Sequence, residues 1–77
     1  MKAQIKLSGD LLVASLEDGS TLQHEDATKL ADLLWANNVT AADVTMIDWH
    51  QDADAALLGG QKVAIFHRLR LHEQAND

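Results

Sequence analysis

The sequence contains no cysteine, and it has half as many basic residues as acidic ones. Because cysteine is absent, no disulfide can form, and thiol catalysis and thiolate metal sites are excluded. A short chain without disulfides is typical of a reducing compartment, so we expect a cytoplasmic protein.

Long apolar runs are missing as well. No stretch approaches the ~20 apolar residues that a transmembrane helix needs, and the first ten residues, MKAQIKLSGD, lack the apolar run of a signal peptide. We therefore expect no membrane partner. With 47% apolar residues the chain can still bury a small core. Since it has neither repeats nor linkers, we predict one domain over residues 1–77.

Basic residues are scarce where acidic residues are dense. The net charge is −6, and residues 10–54 hold ten carboxylates against one base, Lys29. A field of one sign repels nucleic acids and membranes and attracts basic protein surfaces. The composition therefore indicates a protein partner with a basic surface and no direct nucleic-acid binding.

The first third of the chain predicts a β-meander. Polar and apolar residues alternate over residues 3–8, as in a half-buried strand. Gly9-Asp10 and Asp18-Gly19 are turn signals on either side of a second strand over residues 11–17. Residues 20–23 can add a short third strand. Strands joined by such tight turns are antiparallel.

One amphipathic helix follows, from about residue 25 to residue 37, with Leu30 and Leu34 on its apolar face. Asn37-Asn38 can end it, because Asn tolerates the left-handed conformation of a C-cap. Residues 40–43, Thr-Ala-Ala-Asp, predict a single helical turn with a reciprocal cap.

The last part of the chain predicts two more strands. Residues 44–50 form the first, and residues 61–71 alternate clearly enough for the second. Residues 52–60 between them can form a short helix with an Asp cap and a Gly stop, or a loop with a turn, which we favour. Residues 72–77 are predicted to be a frayed polar tail. The fold class is therefore α+β: a two-layer domain of order β-β-(β)-α-β-β, with one helix on a mostly antiparallel sheet of four to five strands.

The main candidate cluster is Asp48, His50, Asp52 and Asp54, which would share one face of a continued strand. A divalent metal is the alternative ligand, but side chains two apart on a strand lie roughly 6–7 Å from each other and do not converge on one ion. We therefore predict no metal and no cofactor here, and a role in binding a partner.

Tryptophan and helix carboxylates extend this prediction. Trp35 and Trp49 can each cap the small core or serve as an interface anchor, since a Trp side chain buries a large area and keeps a donor. The predicted partner-binding residues are Glu25, Asp32, Trp35, Asp48, Trp49, His50, Asp52 and Asp54.

Catalytic and nucleotide motifs are not apparent. Gly59-Gly60-Gln61-Lys62 lacks the spaced glycines of a phosphate loop, and His67 is expected to be a core or edge residue with no nucleophile beside it. Arg68 and Arg70 would share a strand face with Lys62 and Phe66. This basic strip is too small to bind nucleic acid on a protein with a net charge of −6. It could instead receive carboxylates from a second copy of the chain.

These observations predict a small, non-enzymatic protein that binds a basic surface of a larger protein. In size, acidity and lack of motifs the chain resembles phage-encoded inhibitors, anti-CRISPR proteins among them, whose carboxylates would occupy a groove that otherwise holds phosphates. The alternative is a homodimeric structural or accessory subunit, assembled through a β-edge or through the face that carries tryptophan.

Overall fold

The computed structural model describes residues 1–48 and 50–75, and these form a small α+β domain. Four strands and two helices follow one another in the order β-β-β-α-β-α, with a single 3-10 turn at Ala41–Asp43 before the fourth strand. The strands are β1 (Ala3–Ser8), β2 (Leu11–Leu16), β3 (Thr21–His24) and β4 (Val44–Met46), and the helices are α1 (Ala27–Ala36) and α2 (Gly59–Ala75).

The sheet is mixed, with strand order β3-β2-β1-β4. The predicted meander is confirmed: β1 pairs antiparallel with β2, and β2 with β3. Gly9 (φ +61°) and Gly19 (φ +89°) supply the left-handed residues of the two turns, a conformation that costs glycine little. β4 adds to the other side of β1 in parallel, after the chain has crossed over through α1.

Helix α1 begins at Ala27, two residues later than predicted, because Asp26 is its N-cap. The Asp26 carboxylate accepts hydrogen bonds from the backbone N–H groups of Thr28 (2.9 Å) and Lys29 (3.3 Å). The predicted helix end is confirmed, since Asn38 has a φ of +66°. The predicted cap is confirmed too: the Asp43 carboxylate accepts from the backbone N–H of Thr40 at 3.2 Å.

The predicted final strand over residues 61–71 is wrong, and so is the prediction of a single helix, because this segment belongs to α2. A strand with alternating polar and apolar residues would place Val63, Ile65 and Leu69 on one buried face. In the structure Ile65 and Leu69 are buried, but Val63 is exposed. A spacing of four residues on one buried side is that of a helix. Gln61 caps the helix start by accepting a hydrogen bond from the backbone N–H of Leu58 at 2.9 Å.

The predicted strand over residues 44–50 is also too long, since β4 ends at Met46. The Asp48 carboxylate accepts hydrogen bonds from the backbone N–H groups of His50 (2.9 Å) and Gln51 (3.2 Å), which turns the chain away from the sheet. Trp49 lies outside the described residues. The loop predicted over residues 52–60 is present as far as Leu58. Of the tail predicted over residues 72–77, residues 72–75 are helical, and residues 76–77 lie outside the described residues.

Both helices cover one face of the sheet, so the domain has two layers. Alternate strand residues, such as Ile5, Leu12 and Ala14, are buried beneath them, while Gln4 and Ser15 between them are exposed. The largest fully buried side chains are those of Ile5, Leu12, Leu30, Leu34, Val39, Ile65 and Leu69. No helix in the described part of the chain has the length and apolar character to cross a membrane.

Candidate functional site

The sheet topology brings three connecting segments to one end of the molecule. β1 and β4 are parallel, and both leave the sheet at this end. β2 runs in the opposite direction and therefore begins here, and β3 ends here beside it. The segments that meet at this end are residues 9–10, residues 25–26 and, in the third connection, residues 47–48 and 50–58.

Six carboxylates lie in these segments, and no lysine or arginine does. We call this surface the acidic end; it consists of Asp10, Glu25, Asp26, Asp48, Asp52 and Asp54. Four strands at about 4.8 Å spacing span roughly 15 Å, so the six groups share a narrow face of the molecule. Five of the six residues are exposed, and Asp48 is half-buried.

Three members of the acidic end are free of local bonds. Within residues 1–48 and 50–75, the carboxylates of Asp10, Glu25 and Asp54 accept no hydrogen bond and form no ion pair. The other carboxylates of the described chain each have a partner; they are Glu17, Asp18, Asp26, Asp32, Asp43, Asp48, Asp52 and Glu73. Every free carboxylate that the structure describes therefore belongs to the acidic end.

The loop from β4 to α2 holds its shape through its own polar side chains. Gln51 accepts a hydrogen bond from the backbone N–H of Asp48 at 3.1 Å, and Asp52 accepts one from the backbone N–H of Asp54 at 3.0 Å. The carbonyl of Ala55 accepts from the backbone N–H of Leu7 at 2.8 Å, which fastens the loop to β1. Asp54 is therefore presented to solvent from an ordered turn.

The structure separates Asp32 and Trp35 from the other predicted site residues. Asp32 faces α2, where its carboxylate accepts hydrogen bonds from Arg68 Nε at 2.8 Å and from Arg68 Nη2 at 3.4 Å. His72 Nε2 lies 2.6 Å from the same carboxylate, and the imidazole stacks on the indole of Trp35 at a centroid distance of 5.4 Å. We call Asp32, Trp35, Arg68 and His72 the cross-helix cluster.

The cross-helix cluster has the character of a structural contact between α1 and α2. The hydrogen bonds from Arg68, and secondarily those from His72, hold the pKa of the Asp32 carboxyl below its ordinary value. Asp32 is therefore ionised at neutral pH and compensated by Arg68, which leaves neither charge for a distant partner. Trp35 is half-buried against its own chain.

Of the eight predicted partner-binding residues, five come together and two do not. Glu25, Asp48, His50, Asp52 and Asp54 are at or beside the acidic end, whereas Asp32 and Trp35 form part of the cross-helix cluster. Trp49 is outside the described residues. Sequence reasoning missed Asp10 and Asp26 as neighbours of the loop from β4 to α2, which we call the Asp48 loop, because their proximity depends on the parallel pairing of β1 with β4.

The chemistry that this arrangement offers is electrostatic. Among the described residues, no three carboxylate or imidazole side chains converge on a point where a metal ion could bind. Within the same residues, no buried side-chain nitrogen or oxygen lacks a hydrogen-bond partner. The acidic end is suited to meet ammonium and guanidinium groups, which pair with exposed carboxylates in fixed positions.

Comparison of the chain with protein-family models, with curated proteins and with solved structures finds no match.

Proposed function

We propose that this chain is a small, non-enzymatic interaction protein whose acidic end binds a basic surface of a larger protein. The observation that carries the proposal is the placement of the free carboxylates: Asp10, Glu25 and Asp54 lie together at one end, without local partners. A cytoplasmic inhibitor of phage type, similar in kind to anti-CRISPR proteins, is the specific form that we propose. Its carboxylates would compete with nucleic-acid phosphates for a lysine- and arginine-rich groove.

Two features of the described chain support binding over catalysis. At the acidic end the carboxylates of Asp26, Asp48 and Asp52 are held by turns and caps, which fixes their positions and lowers the entropy lost on binding. The same segments present no nucleophile beside a base. Electrostatic complementarity of this kind raises the association rate and makes binding sensitive to salt.

The test is a pull-down from a nuclease-treated host lysate at low and high salt, with the captured proteins identified by mass spectrometry. The chain should capture a basic protein at low salt and release it as salt rises. The double variant Glu25→Gln with Asp54→Asn should bind that protein about tenfold more weakly at low salt. Neither side chain has a partner in the described structure, so neither change should disturb the fold.

The matched control is the double variant Gln23→Lys with Thr45→Lys. It has the same net charge as the neutralised variant, but its changes lie on the exposed strand surfaces of β3 and β4. It should bind nearly as well as the wild type. Equal weakening by both variants, or capture that is indifferent to salt, would refute binding through the acidic end.

The alternative of a homodimer assembled through a β-edge or through the face that carries tryptophan has less support. β3 pairs with β2 alone and so leaves one edge open, but it offers only four residues to a second strand. The indole of Trp35 stacks on His72 of its own chain, which makes it a poor anchor for another copy.

A further inference from the structure

The outer side of α2 carries a shallow groove that is distinct from the acidic end. Lys62, Phe66 and Arg70 follow one another at four-residue spacing and form one ridge along the helix. Val63 and His67 form the neighbouring ridge. These five residues line a surface depression of about 370 Å³. We call it the α2 groove.

The α2 groove combines exposed apolar surface with uncompensated positive charge. The Val63 side chain is 69% exposed, and Phe66 beside it is half-buried. Within the described residues, the side chains of Lys62 and Arg70 form no hydrogen bond and no ion pair. Arg68, by contrast, points to the other side of the helix and is paired with Asp32. The groove is thus a basic surface on an acidic protein.

We propose that the α2 groove binds the acidic loop, residues 50–54, of a second copy of this chain. Charge complementarity identifies the occupant: residues 50–54 are all exposed and carry Asp52 and Asp54, whereas the groove carries Lys62 and Arg70. Within one copy the loop lies at the start of α2, and Arg70 is about 16 Å further along the helix axis from Gly59. A second copy can place its loop across the groove.

This contact joins two different surfaces, so a pair of copies can make it once, in an open chain, or twice about a two-fold axis, in a symmetric dimer. A groove this small buries less area than a stable dimer needs, and we expect an association that is weak and dependent on concentration. The contact also covers the acidic loop, so a basic partner competes with the second copy. The inference shares the acidic end with the proposed function but needs no partner protein to be tested.

The test is sedimentation equilibrium on the full chain, from about 10 µM to about 1 mM, the range expected for so small an interface. At low salt the mean mass should rise above the 8.4 kDa of one chain as the concentration increases. At about 0.5 M salt it should return to that of the monomer, since this salt screens exposed charges beyond a few ångströms.

Charge-swap variants decide which surfaces meet. The groove variant, Lys62→Glu with Arg70→Glu, and the loop variant, Ala53→Lys with Asp54→Lys, should each stay monomeric. An equimolar mixture of the two should associate again, because the reversed groove meets the reversed loop and the unchanged loop of the first protein meets the unchanged groove of the second. Mixing the groove variant with a protein that carries the same two groove changes together with Gln23→Lys and Thr45→Lys should not restore association, because neither protein then has a basic groove or a basic loop.

Several outcomes overturn the inference. One is a wild-type chain that stays monomeric at every concentration, which would leave the α2 groove to an acidic segment of another protein. Association that survives the groove variant or the loop variant would place the contact elsewhere. Circular dichroism of each variant verifies its fold. The groove variant should still capture a basic partner in the pull-down, so a failure of the proposed function and a failure of self-association are distinguishable.

Discussion

At the scale of single residues, the carboxylates of this chain divide by what they bind. Asp26 and Asp48 hold backbone N–H groups at the start of a helix and in a turn, and Asp43 closes the cap with Thr40. Hydrogen bonds from Thr40 hold the pKa of the Asp43 carboxyl below its ordinary value, as those from Ser20 do for Asp18. Such residues maintain the fold, so their charge is only partly available to a partner.

Asp32 provides a prediction about pH at this scale. Its pKa is lowered in the folded protein, so its contribution to stability is present above the ordinary pKa of an aspartate and is lost as pH falls through the folded value. Asp32→Asn should therefore lower the urea midpoint at about pH 7. The difference from the wild type should vanish below the folded pKa of Asp32, because the wild-type carboxyl is then neutral too.

Urea unfolding followed by circular dichroism from about pH 7 to about pH 2 covers this window. Asp10→Asn is the control, because the carboxylate of Asp10 has no partner in the described structure, and its effect should be small at every pH. If Asp32→Asn lowers the urea midpoint equally at both ends of the pH range, the prediction is contradicted. The loss of stability would then come from packing between the helices and not from charge.

At the scale of secondary structure elements, α2 shows where sequence reasoning fails. Over residues 61–71 apolar residues occur on all sides of the helix, because Val63 and Leu71 are apolar but exposed. A helix with apolar residues on every side has no clear period of 3.6, and a chance alternation then resembles a strand. Two signals favoured a helix: eleven residues exceed the usual length of a strand, and Gln61 stands where a capping side chain belongs.

Alanine substitutions along α2 test the helix directly. Ile65→Ala and Leu69→Ala should each cost about 2–4 kcal/mol of unfolding free energy, since both side chains are fully buried. Val63→Ala and Leu71→Ala should each cost less than about 1 kcal/mol, because these side chains are 69% and 41% exposed.

Urea denaturation at neutral pH measures the loss of unfolding free energy in each of the four variants. The pattern of losses distinguishes a helix from a strand. A strand would place Val63, Ile65, Leu69 and Leu71 on one face, so the four substitutions would lower the unfolding free energy by similar amounts. Four similar losses would therefore contradict α2. The comparison is internal to one segment, and each residue serves as a control for the others.

At the scale of the whole molecule, the acidic end is a product of topology. The turns, the amphipathic helix and the capped turn at Thr40 could be predicted because each depends on neighbours in sequence. The position of β4 beside β1 could not, because a three-residue strand carries almost no pattern and its pairing depends on the crossover through α1. The Asp48 loop was singled out from the sequence, but its closeness to Asp10 and Asp26 required the fold.

Gathering like charges at one end has a consequence for stability. Six carboxylates without an interspersed base repel one another in the folded state more than in the extended chain, and salt screens this repulsion. Raising NaCl from about 20 mM to about 500 mM should therefore raise the melting temperature by several degrees. The Glu25→Gln and Asp54→Asn protein should melt at a higher temperature at low salt and gain less from added salt, because part of the repulsion is already gone.

Differential scanning calorimetry of the wild type and of this variant, with the Gln23→Lys and Thr45→Lys variant as a charge-matched control, measures the difference in melting temperature. If the two charge-matched variants respond identically, the salt effect comes from net charge alone and the acidic end contributes no concentrated repulsion of its own.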